Sequence, residues 1–148
     1  KAILTDDVGT VVASVEHHYP NPHPHNGWSE QDPADWVAAC EAALDQLHAD
    51  HSGAISGLRG IGLSGQMHGA TLFDAADEVL RPCILWNDTR SHAEAAAMDA
   101  DPVWRRVSGN IVFPGFTAPK LHWVRKAEPE IAARVAKVLL PKDYLRLG

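Results

Sequence analysis

The run Ile61-Gly-Leu-Ser-Gly-Gln-Met-His-Gly-Ala70 does most to limit what this chain can fold into. Its first half is apolar and interrupted by glycine, and it empties into Gln66, Met67 and His68. The spacing predicts a strand over Leu58–Ser64. After Arg59 that strand is continuously apolar, the pattern of a strand buried on both faces. In open α/β sheets ligands bind beyond the carboxyl ends of strands. A second strand, Cys83-Ile-Leu-Trp86, empties into Asn87-Asp88-Thr89-Arg90. Two strand ends that carry hydrogen-bonding groups beside an aromatic suit a small polyhydroxy molecule.

The remaining elements follow from local signals. Ala2–Thr5 and Thr10–Tyr19 flank Asp6-Asp7-Val8-Gly9 as a hairpin. Pro20–Gly27 is a Pro, His and Asn loop. Ser29-Glu-Gln-Asp32-Pro33 reads as a helix start, with Asp32 as cap and Pro33 in the first turn. That helix runs to about His48, with Trp36, Cys40, Ala43, Leu44 and Leu47 as its buried stripe. His51–Gly57 is a Gly/Ser connection. Thr71–Phe73 is a strand, Asp74–Glu78 a turn, and Val79–Trp86 the return, interrupted by Pro82. Helices are predicted over Ser91–Met98, Trp104–Ser108, Ala118–Arg125 and Glu130–Ala136. Lys137–Pro141 is a short strand, and Lys142 opens a last helix that runs to Gly148. Helices and strands in this order predict an α/β fold with a mixed sheet.

A chain of 148 residues suits one domain with a real core. The net charge of -6 disfavours nucleic acid and anionic membranes as partners, since both need a basic footprint. No apolar run approaches the roughly 20 residues of a membrane span. Lys1-Ala-Ile-Leu-Thr-Asp reaches acid too early for a secretory signal. Cys40 and Cys83 are isolated, which fits buried, reduced thiols and the cytoplasm. The first residues read as a strand already under way and the last as an unfinished helix, so the chain is expected to be a piece of a longer protein.

Several residues admit two readings. Asp7-Val-Gly-Thr10 has the acid-Gly-Thr order of a phosphate-binding hairpin, but bulky Val11-Val12 follow and a plain turn is favoured. His17, His18, His23 and His25 cluster without the Cys or acidic partners that would complete a metal site. Gly65 and Gly69 imply close backbone approach around Met67-His68. A neutral imidazole both donates and accepts, which suits sugar hydroxyls. Trp86 serves equally as core or as the apolar wall of a pocket with Asn87 and Asp88 at its rim. Phe113-Pro-Gly-Phe-Thr-Ala-Pro-Lys120 reads as a rigid aromatic turn packed on the sheet.

Five segments occur here in a familiar order: Trp28-Ser-Glu-Gln-Asp-Pro33, Gly65-Gln-Met-His-Gly69, Leu85-Trp-Asn-Asp88, Gly115-Phe-Thr-Ala-Pro-Lys-Leu121 and Leu139-Leu-Pro-Lys-Asp-Tyr-Leu-Arg146. Together they resemble the N-terminal domain of the bacterial xylulose kinases, in the FGGY carbohydrate kinase family. The resemblance implies an actin-like, ribonuclease-H-like fold of two lobes, with this chain as part of the N-terminal lobe. It implies transfer of the ATP γ-phosphate to D-xylulose, with Mg2+, and leaves a homodimer open. It places Met67, His68, Gly69 and Trp86 at the sugar, with weaker support for Asn87, Asp88 and Arg90 as residues of the pocket rim. It puts the first phosphate motif before Lys1, which makes Asp7-Val-Gly-Thr10 a decoy, and the catalytic Asp beyond Gly148. The chain alone is therefore expected not to turn over ATP. A kinase for another ketose or polyol, a non-catalytic sugar-binding module and a purely structural α/β domain remain the alternatives.

Overall fold

The computed structural model describes residues 1–147. Its first unit is the hairpin of β1 (Ala2–Thr5) and β2 (Val11–Val15), paired antiparallel with a register shift at Leu4/Thr5. The Asp6 carboxylate accepts from the backbone N–H groups of Val8 (3.1 Å) and Thr10 (2.7 Å), closing the turn on itself. Those donors are spent inside the turn, so Asp7-Val-Gly-Thr10 is an ordinary hairpin connection. The second strand is shorter than predicted, ending at Val15 rather than Tyr19.

Asp32 caps the long helix α1 (Pro33–Asp50) as expected, accepting from the Ala34 N–H at 3.0 Å. The residues before the cap are not part of a helix start: Glu30–Gln31 form β3, paired antiparallel with β5 (Cys83–Ile84). Helix α1 buries Trp36, Ala43 and Leu47 but leaves Cys40 exposed and Leu44 46 % exposed. The reason is the width of what covers it. Ala43 and Leu47 pack on Leu4 and Val15 of the hairpin, and Trp36 packs on Cys83 and Leu85. These two contacts cover a narrower line than the apolar stripe offers. The predicted Gly/Ser connection contains a short helix, α2 (Ser52–Ser56).

The main departure from expectation is Leu58–Ser64. It forms no strand and is exposed throughout, with Ile61 at 67 % and Leu63 at 42 %. An apolar run becomes a buried strand only where another strand satisfies its backbone groups, and among the described residues none lies beside it.

Beyond it, β4 (Thr71–Phe73) pairs antiparallel with β6 (Lys137–Leu139), and an Ala70–Ile84 bridge links β4 to β5. All strand pairings among the described residues are antiparallel. Asp74 closes the predicted turn by accepting from Ala76 and Glu78. Helices α3 (His92–Ala100), α4 (Pro102–Ser108), α5 (Thr117–Ala127), α6 (Pro129–Arg134) and α7 (Pro141–Leu145) follow close to their predicted places. Gly148, the end of the last predicted helix, lies outside the described residues. The central core joins Ala70, Leu72 and Ile84 to Val124 of α5. Among the described residues no helix is long and apolar enough to cross a membrane.

The two thiols differ sharply. Cys83 is buried, and burial pushes it up to about 11. Cys40 is exposed, against the sequence expectation, for the reason given above. At pH 8 a disulfide reagent should therefore label Cys40 readily and Cys83 only after unfolding, because the thiolate is the reactive form. Rapid labelling of both in the folded chain would contradict this packing.

Candidate functional site

The structure brings together three segments that sequence spacing treated separately: 65–70, 86–90 and 113–117. His68 lies on the tilted ring of Phe116, with centroids 4.6 Å apart. Gly115 packs so closely on Trp86 that an added Cβ would sit 2.5 Å from the Trp86 carbonyl oxygen. Ser91 donates its hydroxyl to the Pro114 carbonyl at 3.1 Å. The 113–117 loop is thus the link between the Met67-His68 turn and the Trp86-Asn87 strand end. Phe113 and Phe116 stand at 6.0 Å in an edge-on arrangement and extend the aromatic surface.

His68 carries the left-handed backbone, with φ of 62°. A side chain outside glycine pays roughly 1–3 kcal/mol for such a conformation, and it persists only where the surroundings enforce it. Here the His68 carbonyl accepts from the Thr117 hydroxyl (3.2 Å) and from Lys120 Nζ (2.8 Å). Partial burial, then the nearby Lys120 ammonium, hold the imidazole below its ordinary value of 6.5. The ring is neutral at pH 7 and keeps one donor and one acceptor for hydroxyl groups.

Met67 and Trp86 are 60 % and 52 % exposed, and Asn87 is exposed as well. Exposed large side chains on segments tied to a neutral imidazole through the 113–117 loop are the kind of surface that takes the apolar and hydroxyl faces of a sugar.

Two residues expected at the ligand instead lie beneath this surface. Gly69 is buried, and an added Cβ would meet Pro141 Cγ at 2.7 Å and Cys83 Sγ at 3.1 Å. The close approach inferred from this glycine is to the start of α7 rather than to a ligand. Asp88 is 1 % exposed. Its carboxylate accepts from the Ser29 N–H (2.6 Å), the Arg90 N–H (2.9 Å), Arg90 Nε (2.9 Å) and Arg90 Nη2 (2.7 Å). With these bonds made, it has little left to offer a ligand. Arg90, read as a rim residue, has a fully buried side chain. Its guanidinium lies 3.7 Å from the Trp28 ring centroid and 5.0 Å from that of Trp123. Glu30 approaches Arg90 Nη1 at 2.7 Å, in a geometry that makes an ion pair but not a hydrogen bond. Arg81 joins Glu30 to Glu128 beside it. Asp88 and Arg90 therefore build the floor that fixes the strand end.

Sequence reading missed Phe116, Thr117 and Lys120 as partners of His68. One signal was present: Lys120 stands four residues before Val124, on the buried face of α5. A lysine on an apolar helix face needs a reason, and here the reason is a pair of backbone carbonyls, those of His68 and Gly115 (2.7 Å).

A cleft of about 440 Å3 lies elsewhere, lined by Ile61, Leu63, Lys142, Asp143 and Arg146. Asp143 sits in the first turn of α7, as its acidic side chain favours. The cleft borders the unpaired Leu58–Ser64 run; three of its lining residues are charged and none is aromatic, unlike the surroundings of His68. Among the described residues, no three His, Cys, Asp or Glu side chains converge as a metal site. His23 instead pairs its Nδ1 with the Trp28 carbonyl at 2.7 Å, and His25 packs edge-on against Trp28. The acid-Gly-Thr turn offers no cradle to the phosphates of ATP, since its Val8 and Thr10 N–H groups are given to Asp6.

The family model for the FGGY family of carbohydrate kinases, N-terminal domain, matches residues 1–148. The xylulose kinase of Escherichia coli (strain K12) is 49 % identical over 148 residues, covering 99 % of this chain and 30 % of that protein. The crystal structure of a xyloylose kinase from Brucella ovis superposes with a TM-score of 0.96 at 61 % identity, over 98 % of this chain and 30 % of that one. A xylulose kinase structure from Rhodospirillum rubrum gives 0.87 at 32 % identity, over 98 % and 31 %. The chain thus spans about 30 % of the length of the relatives it matches. Its mixture of helices and strands is that of the actin-like, ribonuclease-H-like fold of these kinases. With the whole of its length matched by the family model, the chain belongs to the FGGY family of carbohydrate kinases.

Proposed function

We propose that the protein carrying this chain transfers the γ-phosphate of ATP to D-xylulose, giving D-xylulose 5-phosphate, and that this chain supplies part of the sugar site. The observation that carries the reading is the junction of three loops around His68. A neutral imidazole lies on Phe116, with exposed Met67 and Trp86 on the connected strand ends. The names of the relatives, xylulose kinases, support the choice of sugar.

In this reading His68 exchanges hydrogen bonds with the ketose hydroxyls. Trp86 gives an apolar wall to the carbon chain, Met67 supplies shape and backbone groups, and Asn87 stands at the rim. Gly69 and Asp88 act from below, by fixing the turn and the strand end. ATP and Mg2+ are held by other parts of the protein, and when bound they supply the transferred group and its charge stabilisation. The cytoplasm fits, because an exposed Cys40 stays reduced there.

The test is ADP release by the full-length protein with Mg-ATP, across a panel of ketoses and polyols. The expected result is a kcat/KM for D-xylulose well above that of every other sugar. Preference for a different ketose or polyol would move the assignment within the family. No turnover with any sugar would overturn it in favour of a non-catalytic sugar-binding module.

A further inference from the structure

Lys120 is 0 % exposed, yet among the described residues no carboxylate hydrogen-bonds its ammonium. Its Nζ donates to two backbone carbonyls, those of His68 (2.8 Å) and Gly115 (2.7 Å). Burying an ammonium costs more than burying a methionine of similar length, so packing alone does not account for a lysine here. The two carbonyls belong to different loops, and both are parts of the proposed sugar site. One of them, His68, is in the left-handed conformation and needs an external hold. We propose that Lys120 is a positioning residue, whose ammonium ties the 65–70 turn to the 113–117 loop and so fixes the His68 ring against Phe116.

The inference rests on the sugar-site reading above and adds to it the group that sets the site's geometry. Three further features agree with it. Thr117, three residues earlier on the first turn of α5, donates to the same His68 carbonyl at 3.2 Å, so one helix end supplies both donors. Gly115 is pinned on its other side by the Trp86 backbone, which carries the constraint on to the second strand end. Burial brings the Lys120 ammonium down to about 8, so it remains mostly charged at neutral pH and donates strongly there.

The experiment uses Lys120→Met in the full-length protein and reads hydrogen exchange first, because exchange does not require a sugar. Peptides covering 65–70 and 113–117 are expected to exchange about tenfold faster, the effect of removing a net hydrogen bond or more. The β4–β6 ladder, 71–73 with 137–139, is expected to keep its protection. The KM for sugar should rise by about tenfold with the KM for ATP unchanged. Unchanged exchange in both loops would overturn the proposal. So would faster exchange that also spreads through the ladder, since Lys120 would then only support the core.

Should Lys120→Met fail to fold, Thr117→Val removes the other donor to the same carbonyl and Thr117→Ser restores it. Faster exchange at 65–70 in Thr117→Val that is reversed in Thr117→Ser supports the clamp, and equal exchange in both variants overturns it. If the unmutated protein shows no sugar-dependent turnover, the sugar reading fails, while the exchange result still decides whether Lys120 ties the two loops.

Discussion

Replacing Arg90 by Ala is expected to destabilise the protein by about 3–5 kcal/mol, the cost of leaving a buried charge without its partner. The side chains of Arg90 and Asp88 are both fully buried. Arg90 makes two parallel hydrogen bonds to the Asp88 carboxylate, at 2.9 and 2.7 Å. Its removal leaves Asp88 with only the backbone N–H groups of Ser29 and residue 90. It also strips the guanidinium from the edge-on Trp28–Trp123 pair, against which it packs at 3.7 and 5.0 Å from the two ring centroids. Arg90→Lys should not restore the loss, because an ammonium offers neither the planar fork nor the flat face that lies on Trp28. The double variant Asp88→Asn/Arg90→Met should be less damaged than Arg90→Ala, since it removes both charges together. Denaturant unfolding of the full-length protein, followed by tryptophan fluorescence, measures all three. A loss below about 1 kcal/mol for Arg90→Ala would show that the pair behaves like an exposed ion pair.

His68→Ala is expected to lower kcat/KM for the sugar by roughly 1–3 kcal/mol, about five- to 150-fold, with the KM for ATP unchanged. In the proposed site the ring is the group that meets the hydroxyls, so its deletion would leave a sugar hydroxyl unpaired. The pH dependence follows from the direction of the shift. Burial and the Lys120 charge hold His68 below 6.5, so it is neutral at pH 7 and above. As pH falls through the lowered value, the ring gains a proton and loses its acceptor. The KM for sugar should therefore be flat near neutrality and rise only on the acid side of 6.5, and that rise should be absent from His68→Ala. A sugar dependence that is the same in both proteins would remove His68 from the site.

Much of the local structure was legible because its causes are local. The cap Asp32 with Pro33, the turn after Phe73 closed by Asp74, and the break at Pro82 each act over a few residues. The strand predicted at Leu58–Ser64 was not realised, because strand formation needs a partner that composition cannot supply. Cys40 and Leu44 shared the apolar stripe of α1 but not its cover. Glu30–Gln31 looked like the approach to a helix and instead pairs with Cys83–Ile84, a contact across some fifty residues.

The candidate site divides in the same way. Residue types alone marked the two strand ends, Met67-His68 and Trp86-Asn87, as places rich in hydrogen-bonding and aromatic groups. They said nothing about which of those groups face outward. Only the tertiary structure sent Asp88 and Arg90 below the surface, set Gly69 against Pro141, and brought Phe116 and Lys120 to His68. By itself the sequence determined what depends on neighbours along the chain: caps, turns, helix periodicity and the chemistry available at each loop. Tertiary structure decided burial and partnership, because a carboxylate or an ammonium is committed to the floor or left free for a ligand by groups distant in sequence that pack against it.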